Sequence, residues 1–248
     1  MVLTRGTNCG FVSASPSADP STGDTINAGD KVSCFKDTSP IGNNTITEIG
    51  WYCENAVQEA NFEVAIYNSS GGVPTTIVGS DKTNAKGTTA GWKKVTGLNI
   101  VLSPSTEYFV VIQVDTTATD AQTLEQTAGA IAGDTNWQSG ISTLPDPYGA
   151  GTARTKFTAI YAKYEDLSPT TVQSKSIDFN NGTITQATLT TTLTGNALTE
   201  LQMTADGTNW ENVTSGVAHT FTNTGTDLKW KATGVATTIT KLEIGSYH

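Results

Sequence analysis

The stretch ITEIGWYCENAVQEANFEVAIY, residues 46–67, holds two runs in which apolar and polar residues alternate: Ile49, Trp51 and Cys53, then Phe62, Val64 and Ile66. A period of two sends successive side chains to opposite faces of an extended chain. Each run therefore predicts a half-buried strand with one face on a core. The link from Glu54 to Asn61 is polar, with too little apolar periodicity to demand a helix. Working outward, the same signal recurs at residues 32–35, 92–96, 107–115 and 157–164. In 107–115, Tyr108, Val110, Ile112 and Val114 share one face while Phe109 and Val111 lie opposite. A strand apolar on both faces belongs in the middle of a sandwich.

Turn chemistry separates the runs. Pro16 and Pro20 forbid regular pairing in the Ser/Pro/Asp-rich stretch 13–29, Ser39-Pro40-Ile41-Gly42 reads as a turn, and Gly71-Gly72 followed by Pro74 breaks the strand that ends at Tyr67. Residues 116–148 form the longest stretch without a clear strand, with room for a short helical turn at 121–132. A loop of that length in a compact domain is functional or covering.

Charged residues make up 15% of the 248 positions, hydrophobics 36%, and Thr, Gly, Ser and Asn much of the rest. Thr is β-branched and polar, so it suits the solvent face of a strand. The formal charge of −9, with Lys93-Lys94 the densest basic pair, argues against nucleic-acid binding. The N-terminus carries one Arg and no apolar core, which predicts no secretory signal, and no apolar run reaches the roughly 18 to 20 residues of a membrane helix. Cys9, Cys34 and Cys53 are an odd number and are expected to be buried and reduced. A linker at 165–171 divides the chain into a domain at 1–166 and a second all-β unit at 167–248. The second unit has strand signals near 176–179, 183–193, 199–204, 219–222, 228–232 and 238–244. Asp206-Gly207 sits between two of these as a hairpin turn.

FEVAIYNSSGGVPTTIVGS, the later Gly91-Trp92 and LSPSTEYFVVIQV together resemble a recurrent β-sandwich module of extracellular and viral proteins. The opening TRGTNCGFV and the DPYG at 146–149 resemble proteins of phage-like gene sets, and residues 205–232 are similar to accessory β-sandwich units of phage structural and tail-associated proteins. This chain departs from the module at Thr75 and at Ser105-Thr106, all turn positions. The resulting expectation is an all-β protein of two tandem β-sandwiches, the first jelly-roll-like. The resemblance implies a fold and not an activity.

Catalysis needs a nucleophile or an acid and base within reach of each other. His219 alternates with Val217 and Phe221 and reads as structural, His248 is terminal, and no GxSxG, HExxH or Walker loop is present. No enzyme is expected. Calcium is a candidate cofactor, because hard cations take six to eight oxygens and Asp115, Asp120, Asp134 and Asp146 fall in or beside the long irregular stretch. No EF-hand spacing accompanies them, and solvated loop acids are the plainer reading. Glycan recognition uses aromatic faces stacked on pyranose rings, for which Trp137, Tyr148 and then Trp92 are the candidates. The plainer reading there is that each plugs one end of a sandwich, while Trp51, Trp210 and Trp230 belong to cores. Thr-rich strands with few Lys or Glu leave edges open to pairing with another chain, and a Pro-bearing arm at 13–23 could drape over a neighbour. The expected function is therefore a non-enzymatic virion structural protein of a phage-like virus, either a head decoration or a tail or fibre component. Its expected partners are other virion proteins such as the major capsid protein, further copies of itself and a cell-surface glycan. The alternative is a carbohydrate-binding module outside any virion.

Overall fold

The computed structural model describes residues 3–20, 25–29, 31–42, 44–54, 58–116, 123–128, 133–177 and 182–247. Among these residues there are strands and no helix. The chain divides into two compact units, Met1–Asp166 and Leu167–His248.

Unit 1 begins with β1 (Gly10–Val12), β2 (Thr25–Asn27), β3 (Lys31–Thr38), β4 (Asn44–Cys53), β5 (Asn61–Ser70), β6 (Val73–Ala85) and β7 (Gly91–Leu102). It continues with β8 (Glu107–Val114), β9 (Thr123–Ala128), β10 (Thr135–Ser139), β11 (Thr152–Arg154), β12 (Lys156–Thr158) and β13 (Ile160–Asp166). One sheet runs β1-β13-β4-β9-β12, with β7 also on β4 and β2 on β9; the other runs β11-β10-β3-β8-β5-β6. Only β1 on β13 is a parallel ladder among these pairings.

The two alternating runs are β4 and β5, one in each sheet, and their apolar residues meet in one core. Ile46, Ile49, Trp51 and Cys53 join Phe62, Val64 and Ile66 there, with Val110 and Ile112 of β8 and Ile160 and Ala162 of β13. Trp51 packs edge-on against Phe62, ring centroids 6.1 Å apart. Ile46 and Ile49 differ in parity, yet both reach this core. Thr47 is the reason: both ladders of β4 skip it, so it is a bulge that reverses the alternation between the two isoleucines.

β4 is not half-buried, as a period of two predicts, but buried on both faces. Its second face is covered by Tyr161, Trp92 and the segment 13–20. A side chain begun at Gly50 would meet the Lys93 carbonyl and the Tyr161 ring, each at 2.7 Å, so the ring lies where a Cβ would stand. Trp92 stacks edge-on against both Tyr52 and Tyr161, at 5.3 Å each, and its Nε1 donates to the Ala18 carbonyl.

β8 lies between β3 and β5, and both its faces are apolar, as its sequence requires. Phe109 and Val111 form a second cluster with Val32, Cys34, Ala65 and Tyr67, closed over by Leu144 and Tyr148. Residues 141–148 are thus a strap across the outer face of the second sheet. Glu63 accepts the Leu144 N–H at 2.6 Å, Gln113 donates to the Ile141 carbonyl at 2.9 Å, and the Tyr67 hydroxyl donates to the Pro145 carbonyl at 2.5 Å. The stretch 116–148 is therefore part strand and part cover. Where a helical turn had room, 123–128 is β9, paired with β12 and β2. The polar run Thr135–Ser139 is β10, held between β3 and β11.

Unit 2 contains β14 (Thr170–Gln173), β15 (Ile184–Gly195), β16 (Leu198–Thr204), β17 (Glu211–Asn212), β18 (Ala218–Gly225), β19 (Lys229–Gly234) and β20 (Thr237–Tyr247). They form a sheet β14-β19-β16-β17 and a sheet β18-β15-β20. Ile184, Ala187, Leu189, Met203, Ala205, Phe221 and Leu228 make its core, with Trp230 half-buried against it. Trp210, expected in a core, instead lies under the Lys231 ammonium, 4.8 Å from the ring centroid. Of the expected strand at 176–179, residues 178–179 lie outside the described residues and 176–177 are not in a strand; β14 lies earlier, at Thr170–Gln173. Ser174 and Ile177 continue from it with bonds to the Trp230 and Leu228 carbonyls.

All three cysteines are buried and unbridged. Burial pushes the Cys9 and Cys34 thiols up to about 12. At pH 8 only about one such thiol in ten thousand is ionised, and the thiolate is the reactive form. Titration of the native chain with an aromatic disulfide reagent is expected to leave Cys9 and Cys34 silent, with three thiols released after unfolding; fast native reaction at either would contradict this placement.

Candidate functional site

A heavily charged hollow lies at the end of β3. Arg5, Lys36, Asp37, Thr38, Glu107 and Asp134 line about 300 Å³. Arg5 reaches it from the N-terminal segment and forks: one guanidinium nitrogen donates to Asp37 Oδ1 at 2.8 Å and to the Lys36 carbonyl at 2.6 Å, the other to Asp134 Oδ2 at 2.9 Å. The same guanidinium sits over the Phe35 ring at 4.8 Å. Asp37 also accepts the Phe11 N–H at 2.9 Å, and Lys36 pairs with Glu107 at 3.2 Å. Asp37 and Asp134 are 8% and 4% exposed, so their charges are compensated inside the protein, which is what burial of a carboxylate demands. The arrangement fixes the N-terminal segment to β3 and to the start of β10. Of these six residues, only Asp134 was singled out by sequence reasoning. Arg5 lies in the TRGTNC opening, but nothing in its spacing points to carboxylates so far along the chain.

The second polar centre is on the covered face of β4. Glu48 accepts the Tyr161 hydroxyl and pairs with Lys94 at 3.2 Å. Burial alone would raise this carboxyl. Hydrogen bonds from Ser15, Tyr161 and Lys94, with the Lys94 charge, outweigh it and hold the carboxyl below its ordinary value. Burial first, then the bond to Glu48, push the Tyr161 phenol the other way. Ser15 and Ala18 thus tie residues 13–20 to Glu48 of β4 and Trp92 of β7 in the same chain, and residues 21–23 of the expected arm lie outside the described residues.

In unit 2 an open groove of about 510 Å³ lies where β15 passes from one sheet to β16 in the other. Leu193, Leu198, Leu201 and Val213 alternate along it with Thr191 and Glu200. His219 pairs with Glu211 at 2.9 Å and stacks edge-on against Phe221, which makes it a structural strand residue.

The aromatic candidates for sugar stacking do not form a platform. Tyr148 is 1% exposed, edge-on to Tyr67, with its hydroxyl beside the Cys34 sulfur; it covers a core and has no free face. Trp92 is locked between two tyrosines as described. Trp137 is half-buried on β10, under the Arg154 guanidinium at 4.6 Å and the Lys31 ammonium at 5.8 Å. The calcium candidates are also dispersed. Asp134 is held by Arg5, Asp115 accepts from Gln113 at 3.3 Å, and Asp146 is exposed and accepts the Ile77 N–H at 3.3 Å. Asp120 lies outside the described residues. Among the described residues no three His, Cys, Asp or Glu side chains come together as a metal-ligating set.

No known protein family matches the chain, and no curated protein matches it. Among solved structures, the cysteine protease and lectin-like domains of Cwp84, a surface layer associated protein of Clostridium difficile, match 54% of this chain at 14% identity and a TM-score of 0.40. The match spans 32% of that chain, and at this score it carries no argument about fold or activity.

Arg5→Ala is expected to destabilise unit 1 by about 1–3 kcal/mol, because it removes the cation shared by two buried carboxylates. Arg5→Lys should recover only part of this, since an ammonium cannot fork; urea unfolding measures both, and an unchanged midpoint for Arg5→Ala would contradict the clamp. Asp206 tests a different contact. The Asn209 side chain, the Asn209 and Thr208 N–H groups and Thr204 all bond its carboxylate, holding it well below the ordinary 3.8. A depressed folded value contributes stability that is complete above the unfolded value and is lost as pH falls through the folded one. Asp206→Asn is therefore expected to melt lower than the parent at pH 7, with the gap narrowing below pH 3.8; a gap independent of pH would show that the charge has no part in it.

Proposed function

We propose that the chain is a non-enzymatic structural protein of a phage-like particle, a head decoration or a tail or fibre component. In this reading it acts beside other virion proteins such as the major capsid protein, as a homo-oligomer. The observation that carries it is that the polar clusters of the described residues are closed on themselves. Arg5 clamps Asp37 and Asp134, Glu48 takes Tyr161 and Lys94, and Glu211 takes His219, so each acts within the fold. Outward, the chain presents long strand edges, β7 in unit 1 and β20 in unit 2, of the kind that pair with other chains. The resemblance of residues 205–232 to phage accessory units supports the same reading. Three buried free thiols suit a protein made in a reducing cytoplasm and built into particles there.

The carbohydrate-binding alternative rests on Trp137, which is half-buried and whose Nε1 is buried without a partner among the described residues. Mass spectrometry of density-banded particles from the source sample is expected to find this chain at a fixed ratio to the major capsid protein. A ratio near the capsid's own copy number marks a decoration, and a handful of copies marks a tail or fibre part. Absence from particles would overturn the reading. Glycan-array binding that Trp137→Ala abolishes would then favour the alternative.

A further inference from the structure

Unit 2 ends one of its sheets on two edges that differ in how they are guarded. On β18, the Glu211 carboxylate accepts the backbone N–H groups of Thr222 and Asn223, each at 3.0 Å. Those donors are then occupied, and an incoming strand cannot use them. β20, on the other side of β15, is eleven residues long. From Thr238 onward, its bonds to other elements among the described residues all go to β15. Lys241 and Glu243 face outward at its centre, 62% and 61% exposed and 2.9 Å apart.

This edge is complementary to itself. Two copies of β20 laid antiparallel about Leu242 place Lys241 opposite Glu243 of the second copy, and Glu243 opposite its Lys241. A slip that keeps the faces matched moves the strands by two residues. Either direction then sets Lys241 against Lys241 or Glu243 against Glu243, and a parallel in-register pairing sets like on like throughout. Like charges directly opposite are destabilising, so the two side chains select one register and one direction. The bulge agrees with that register. Thr240 is skipped in the ladder with β15; were it skipped across the new joint as well, Ile244 would come opposite Ile239 past the central pairs. Both are half-buried on the inner face, which would continue unbroken across the joint.

We propose that β20 is a self-association edge that takes the β20 of a second copy of this chain, joining two three-stranded sheets into one continuous sheet about a twofold axis. The inference deepens the assembly reading and takes its biological meaning from it, while the contact itself is tested on the isolated full chain. Sedimentation equilibrium would compare the parent with Lys241→Glu, Glu243→Lys and the double exchange. The parent is expected to dimerise, each single exchange to weaken the dimer by about tenfold or more, and the double exchange to restore it. Both side chains are exposed, so thermal melting of the variants should stay close to the parent's and show that folding is intact. A parent that stays monomeric at its highest soluble concentration would overturn the proposal. So would a dimer equally strong in all four proteins, or a double exchange as weak as the singles. None of those results touches the particle reading, which fails only if the chain is absent from particles.

Discussion

Unit 1 depends on the burial of two strands on both faces. A strand at the centre of a single core needs one covered face; β4 and β8 each need two. The second cover cannot come from the opposite sheet, so it comes from chain that has no regular partner, residues 13–20 over β4 and the 141–148 strap over β8. Irregular backbone laid on an apolar surface must still have its polar groups satisfied. Glu63, Gln113 and Tyr67 do this for the strap, and Trp92 does it for the segment at 13–20, which is also held by the side chain of its Ser15 on Glu48. Charged and amide side chains inside the apolar strands β5 and β8 are thus anchors for the cover and not defects in the core.

That constraint explains why the best candidates for chemistry turn out to be parts of the fold. An aromatic residue or a carboxylate in a Gly/Ser/Asn-rich stretch reads as a binding group when the stretch is taken for a free loop. Once the stretch is a cover, Tyr148 becomes the side chain that fills the gap above Cys34 and Tyr67, and Asp134 becomes a buried counter-charge. Buried carboxylates of this kind stabilise only when paired. Arg5 suits the task because its planar fork can serve two acceptors at once.

The parts of the fold legible in sequence are those set by local periodicity. Alternation at Ile49-Trp51-Cys53 and Phe62-Val64-Ile66 marks β4 and β5, the two-sided pattern at 108–114 marks a central strand, and Asp206-Gly207 lies between β16 and β17 where a turn is needed. Three things were not legible, each because it depends on contacts distant in sequence. β9 and β10 are polar strands held by their neighbours' ladders, and their own residues carry no apolar rhythm. The bulge at Thr47 shows only as a mismatch of parity between two isoleucines. The partners of Arg5 lie on β3 and beside β10, and no motif links them.

Gly50 and Tyr161 carry a consequence for recognising distant kin of this chain. The ring occupies the volume in which any side chain at position 50 would begin, and the Lys93 carbonyl closes the space from the other side. A larger residue at 50 is admissible only if the ring at 161 shrinks or turns away, and that would uncover Glu48 and loosen Trp92. A change at position 50 is therefore tied to a change at position 161. In a diverged chain that keeps this sheet, a side chain at position 50 would be expected only together with a smaller or displaced residue at 161.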